Sequence, residues 1–201
     1  MLTKDETTTL YNNFYSLNKA PRGRKKKRNH TILRCVLNNV PAGSSVLDVG
    51  CGPGHLLAAL ETTGYGVQGT EVSEWAMKNM LTGLKVHKAY IDDMSVFPDN
   101  AFDCVVCSDV LEHLQTENEA IAGIKEMVRI TKKHLVLTAN QHSSRSKNLG
   151  EVKISGNNTH TLARKHEWWL RLFTQYFVVV EQGKAGTSLF VYGVKNEVNK
   201  N

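Results

Sequence analysis

The chain has 201 residues, 41% of them hydrophobic and 22% charged, and a formal net charge of +6, which suits one globular domain with a substantial core. No apolar run approaches the roughly 20 residues that span a bilayer, and the opening MLTKDETTTL lacks the basic-then-apolar order of a signal peptide, so a cytosolic setting is expected. The basicity is local: Arg22, Arg24, Lys25, Lys26, Lys27 and Arg28 supply six of the 25 basic residues, and the rest balance the 19 acidic ones.

In chain order, the polar opening segment carries Leu10, Phe14 and Leu17 at helical spacing, which predicts a short amphipathic helix lying on the body as a lid. The basic run has no apolar periodicity and reads as a loop or a helix start. A solvated surface and a phosphate-binding patch for RNA, DNA, a nucleotide-linked substrate or a lipid surface are both open. Residues 29–40 repeat apolar side chains at helical spacing until Pro41-Ala42-Gly43 stops the helix. Residues 1–40 therefore read as an N-terminal helical extension and 41–196 as the main domain.

Within the domain, strands are predicted near 46–49, 66–71, 86–91, 102–107, 134–140, 176–181 and 188–194, with helices near 55–62, 73–81, 117–130 and 162–173. Strands alternating with helices give a parallel sheet covered on both faces, and the short turn QGKAG makes the final strand antiparallel. The expected fold is α/β and Rossmann-like, with a seven-stranded mostly parallel sheet and an antiparallel last strand. The polar segment 141–159 breaks the alternation and reads as a functional loop. Cys104 and Cys107 have CxxC spacing, but residues three apart on a strand face opposite ways, so they read as small buried side chains.

The most specific stretch is VLDVGCGPGHLLAAL, residues 46–60: a strand, a glycine turn and a helix start. Glycines at alternate positions let a ligand approach the main chain, and the helix start offers free N–H groups to an anion. A dinucleotide fingerprint needs glycine where His55 stands; the glycines here are Gly50, Gly52 and Gly54. That spacing, preceded by Asp48 and joined to Glu71 at the end of the second strand, resembles the class I S-adenosylmethionine-dependent methyltransferases, from about Val46 to Leu137. The resemblance implies S-adenosyl-L-methionine as cofactor, with Asp48, Gly50, Cys51, Gly52 and Gly54 at its methionine portion. It also implies that Glu71, with Val72 beside it, accepts from both ribose hydroxyls, that Asp92 or Asp93 meets the adenine amino group, and that Ser108 and Asp109 face the transferred methyl group. A carboxylate at Glu71 repels a ribose phosphate, which argues against NADP.

Asp109, Glu112 and His113 fall at i, i+3 and i+4, on one face of a helical patch after the fourth strand. D-x-x-E-H resembles two metal-using branches of the family, quinone-precursor O-methyltransferases and small-RNA 3′-terminal 2′-O-methyltransferases. This implies a divalent ion on Asp109, Glu112 and His113, with His142 or His160 as a further ligand. Many family members with a similar D-x-L-E-H use no metal, and Glu112 and His113 then cap helices or line the pocket. The stretch HTLARKHEWWLRLF, from His160, resembles a late segment of small-molecule and sugar methyltransferases. Leu162, Trp169 and Phe173 read as core, Trp168 as a candidate pocket wall, and His160, then His113, as candidate general bases.

A sulfonium methyl is already electrophilic, so the expected catalysis is mostly proximity and desolvation, with a base needed where the acceptor must lose a proton. No N-P-P-Y-like sequence follows the fourth strand, which disfavours base nitrogens and glutamine amides as acceptors. O-methylation of a small molecule or saccharide is the leading expectation. The alternatives are RNA 3′-terminal ribose 2′-O-methylation, kept open by the basic run, and a non-catalytic cofactor-binding partner subunit.

Overall fold

The computed structural model describes residues 2–17, 24–81, 83–140, 153, 154, 157, 158, 160–162 and 164–196, with backbone alone for 17, 24–27, 153, 154, 157 and 158. Two helices open the chain, α1 (Lys4–Leu17) and α2 (Arg24–Asn39). The apolar run after the Pro-Ala-Gly stop forms β1 (Ser45–Val49), followed by α3 (His55–Glu61), β2 (Gly66–Glu71), α4 (Glu74–Lys78) and β3 (Val86–Lys88). Then come β4 (Phe102–Ser108), α5 (Glu117–Ile130), β5 (Thr131–Asn140), the two-residue strands β6 (Lys153–Ile154) and β7 (Asn157–Asn158), α6 (His166–Phe173), β8 (Phe177–Ala185) and β9 (Ser188–Lys195).

Seven strands form one sheet in the order β3-β2-β1-β4-β5-β9-β8. The pairs from β3 to β5 are parallel, and β9 runs antiparallel to both β5 and β8. The expected Rossmann-like sheet is therefore the one observed. The chain winds outward from β1 to β3 and then returns to place β4 on the other side of β1. The loops leaving β1 and β4 diverge there, and a crevice opens beyond the strand ends.

Alternation along the central strands supplies a core on each face. Leu47, Val49, Val105, Cys107, Leu135 and Leu137 join Ile124, Met127, Trp169 and Phe173 on one side. Val46, Cys104, Val106 and Val136 join Ile32, Val36, Val40, Leu57 and Leu60 on the other. Cys104 and Cys107 thus lie in opposite cores as free thiols. Because Ile32, Val36 and Val40 share a cluster with Val46 and Leu57, α2 belongs to the same packed body as the sheet.

Several elements are shorter than their sequence patterns. The third strand ends at Lys88, where a turn at Tyr90–Asp93 begins, and α6 starts at His166 because residues 160–162 bond to another loop. On α1 the buried positions are Thr8 and Tyr15, while Leu10 and Phe14 are only half-buried. That face is polar and aromatic because it covers the crevice rather than an apolar core. Among the described residues, no helix is long and apolar enough to cross a membrane.

Candidate active site

The turn from β1 into α3 depends on left-handed backbone at Gly50, Gly52 and Gly54, with φ of +71°, +55° and +85°. A Cβ would lie 2.4 Å from a Val110 methyl at Gly50, and 2.8 Å from the Tyr15 hydroxyl at Gly52. The loop is held between the segment after β4 and helix α1.

Glu71, 4% exposed, sits where β2 ends. Its Oε2 accepts from the Gly52 N–H at 2.8 Å, and its Oε1 accepts from Val72 N at 2.9 Å and Ser73 N at 2.8 Å. Three backbone donors fix this carboxylate beside a cavity of about 640 Å³ that is partly open to solvent. Gly50, Glu71, Val72, Asp109, His113 and, from α1, Tyr11 and Tyr15 are among its lining residues. The glycine cradle and the fixed carboxylate suit the adenosyl cofactor. Burial, and then the nearby carboxylates Glu112 for Tyr11 and Glu71 for Tyr15, push both phenols above their ordinary range.

Other expected cofactor residues are placed differently. Asp48 is buried within β1, the Cys51 thiol packs close to Gly69, and Ser108 Oγ shares a hydrogen bond with Thr138 Oγ1 at 3.1 Å. None of these lines the cavity, nor do Gly52 and Gly54, which lie in the turn itself. Asp92 and Asp93, expected near the adenine, have partners within the protein. The Asp92 carboxylate lies 3.3 Å from Lys4 Nζ, and Asp93 Oδ1 turns back to the Ser95 N–H at 3.4 Å. Neither acid is among the residues that line the cavity; from this turn Tyr90 and Ile91, with Ala89 before it, do so.

Another wall of the cavity is built after β4. Asp109 takes a left-handed φ of +58°, and its carboxylate pairs with Arg28 Nη2 of α2 at 2.5 Å; Arg28 Nη1 also donates to Ser188 Oγ. The helical patch is only a 3₁₀ turn, Leu111–His113, so Asp109 does not share a helix face with Glu112 and His113. The expected Asp109, Glu112, His113 metal set is corrected accordingly. The groups that converge are Glu112, His113 and His160, with one ligand-type atom from each lying within 4.8 Å of the others. His142 and Arg22 lie outside the described residues.

His160 arrives from far along the chain because its neighbours bond to the 3₁₀ turn. Thr161 Oγ1 donates to Leu114 O at 2.6 Å, and Leu162 N donates to Glu112 O at 3.1 Å. The His113 and His160 rings meet edge to face, 4.6 Å between centroids. Burial, and then the Arg28 charge, hold the His160 pKa below its ordinary value. Glu112 is 1% exposed, its buried Oε2 has no hydrogen-bond partner among the described residues, and burial followed by the Asp109 charge raises its pKa. A buried carboxylate oxygen without a donor beside two imidazoles fits a divalent transition ion.

Sequence reading missed Tyr11, Tyr15 and Arg28. The i, i+4 tyrosine pair was a usable signal on α1, whereas nothing in a run of six cations marks Arg28 as the partner of Asp109. Trp168 packs at 85° against Trp169, with the Arg164 guanidinium 5.7 Å from its ring, and does not line the cavity.

The sheet order, the glycine turn and the carboxylate ending β2 define the class I S-adenosylmethionine-dependent methyltransferase fold. In agreement, magnesium protoporphyrin IX methyltransferase (ChlM) from Synechocystis PCC 6803, solved with bound SAM, superposes with a TM-score of 0.72 at 17% identity, covering 98% of this chain and 99% of that one. The family described as Methionine biosynthesis protein MetW matches residues 30–175, and the chain belongs to that family. A ubiquinone biosynthesis O-methyltransferase from Thiobacillus denitrificans is 33% identical over 105 residues, 48% of this chain and 45% of that protein. The bifunctional methionine biosynthesis protein MetXA/MetW from Rhodopirellula baltica is 33% identical over 106 residues, 47% of this chain and 16% of that protein. The chain spans less than half the length of the curated relatives it matches here.

Proposed function

We propose that the protein is an S-adenosylmethionine-dependent methyltransferase acting on a hydroxyl of a small molecule or saccharide. The observation that carries this reading is the Glu71 carboxylate, buried and fixed by the amides of Gly52, Val72 and Ser73 beside the cavity. A carboxylate fixed in this way suits the vicinal hydroxyls of a ribose. The O-methyltransferase relative favours oxygen as the acceptor atom.

S-adenosylmethionine supplies a methyl group that is already electrophilic on its sulfonium. The protein then has to position the acceptor, exclude water and remove one proton. Tyr11 and Tyr15 cover the cavity, and Asn12 fixes their helix to α4 by accepting from Ser73 Oγ at 2.9 Å and Trp75 N at 3.0 Å. His160, kept neutral by burial and by Arg28, is the base, with His113 against it. On this basis His160→Ala lowers turnover of a hydroxyl acceptor about 100-fold or more and leaves the Kd for S-adenosylhomocysteine unchanged. An unchanged turnover removes His160 from the mechanism.

Glu112, His113 and His160 would hold a divalent ion, which would supply Lewis-acid activation of the acceptor hydroxyl. Turnover abolished by a chelator and restored by added ion assigns the imidazoles as ligands; turnover that survives chelation assigns them to proton transfer.

A second reading, a cofactor-binding partner subunit without turnover, draws support from the bifunctional MetXA/MetW relative. Tight S-adenosylhomocysteine binding with no transfer to any hydroxyl acceptor would establish it. RNA as acceptor rests on Arg22 and Arg24–Arg28 and requires salt-sensitive binding of short RNA that disappears when these charges are neutralised. A cytosolic location completes the proposal, in keeping with four free cysteines.

A further inference from the structure

Arg28 is not one of the residues that line the cavity, yet it holds one that does. After β4 the lining is supplied by Asp109, Val110, His113 and Leu114, and Arg28 Nη2 lies 2.5 Å from Asp109 Oδ2. Its Nη1 donates to Ser188 Oγ at 3.1 Å, and Ser188, the fully buried first residue of β9, pairs with Asn140 at the end of β5. One guanidinium therefore ties α2 to the residue after β4 and to the start of β9, on either side of β5.

Asp109 needs such a tie. Its φ of +58° is one that residues with a side chain rarely adopt, and the chain turns there from β4 into the 3₁₀ turn that carries His113, with Val110 against Gly50. The Asp109 N–H donates to Thr138 Oγ1 at 3.2 Å, so the strained residue is gripped by main chain and side chain alike. The Arg28 and Asp109 side chains are 15% and 20% exposed, and a carboxylate so buried becomes costly once its cation is removed. Stability alone does not account for Arg28, because its Nε is buried without a hydrogen-bond partner among the described residues, a cost that works against folding.

We propose that Arg28 is a positioning residue of the cavity: paired with Asp109 and Ser188, it holds Asp109 in the left-handed conformation that brings Val110 to the glycine turn and His113 to the cavity. The proposal rests on the cofactor reading above for its probe, S-adenosylhomocysteine. Without Arg28, Asp109 relaxes to an ordinary negative φ and the wall loses its shape. A glycine at this position takes the same φ without strain and has no carboxylate to hold.

Calorimetric Kd values for S-adenosylhomocysteine on the full-length protein, measured where circular dichroism reports every variant folded, test this in a double-mutant cycle. Arg28→Ala should weaken binding about tenfold or more. The same substitution made together with Asp109→Gly should change the affinity of the Asp109→Gly protein by less than about twofold, because Arg28 acts through Asp109. A role in the fold alone, or a charge acting directly on Glu112 and His160, gives the same loss in both backgrounds and overturns the proposal. Unchanged affinity in Arg28→Ala overturns it as well. Should Arg28→Ala not fold, Arg28→Lys takes its place in the cycle: it keeps the charge, but its single ammonium cannot hold Asp109 and Ser188 together, and a loss of about threefold or more is expected. Full affinity in Arg28→Lys overturns the proposal. Failure of the unaltered protein to bind S-adenosylhomocysteine overturns the cofactor reading and this role with it, whereas binding that is indifferent to Arg28 overturns the positioning role alone.

Discussion

Gly52 shows how tightly single residues define the cavity. Its φ of +55° is one that a side chain adopts at a cost of about 1–2 kcal/mol, and a Cβ there would meet the Tyr15 hydroxyl at 2.8 Å. Gly52→Val should therefore lose S-adenosylhomocysteine binding, by about 100-fold or more on the scale of the binding energy displaced, while circular dichroism reports a folded protein. Unchanged affinity would place the cofactor elsewhere. The glycine and Glu71 were legible in the sequence because a strand, a glycine turn and an acid ending the next strand are contiguous patterns. Tyr15 and Arg28 were not, since their contacts with Gly52 and Asp109 join parts of the chain that only folding brings together.

Between elements, β1 and β4 are aligned by Asp103. Its Oδ2 accepts from Ser45 N at 2.8 Å and Ser45 Oγ at 2.6 Å, and its Oδ1 takes Lys132 Nζ. The Ser45 hydrogen bonds, and then Lys132, lower the Asp103 pKa from 3.8 to about 2. With the folded value below the unfolded one, the stabilisation is complete above about pH 4 and is lost as pH falls through 2. The side chain is 34% exposed, so after screening Asp103→Asn should cost about 1 kcal/mol at pH 7 and almost nothing at pH 2. Urea denaturation at the two pH values measures it, and equal losses would refute the electrostatic origin. At this scale helix α1 was readable in its location but not in its buried face. Periodicity selected Leu10, Phe14 and Leu17, whereas the cavity beneath is lined by Thr7, Tyr11 and Tyr15.

For the molecule as a whole, two cores around one sheet hold the crevice open at the strand ends. Trp169 is fully buried between Trp168 and Phe173, and its Nε1 has no hydrogen-bond partner among the described residues. Trp169→Ala should cost about 3–5 kcal/mol through the cavity it leaves. Trp169→Phe should cost less than about 2 kcal/mol, because it also removes an unsatisfied donor. Equal losses in denaturant titrations would show that the indole N–H is satisfied after all. By itself the sequence determined the order of strands and helices, the glycine turn, Glu71 and the class of cofactor, because each is encoded by local periodicity or by neighbours along the chain. Only the tertiary structure decided which acids face the cavity, that Arg28 of the basic run pairs with Asp109, and that His160 joins His113 and Glu112. Those outcomes depend on where the β3 turn points, how α2 packs, and the hydrogen bonds that fasten residues 160–162 to the turn after β4. Such contacts span tens of residues and leave no periodic trace in the chain.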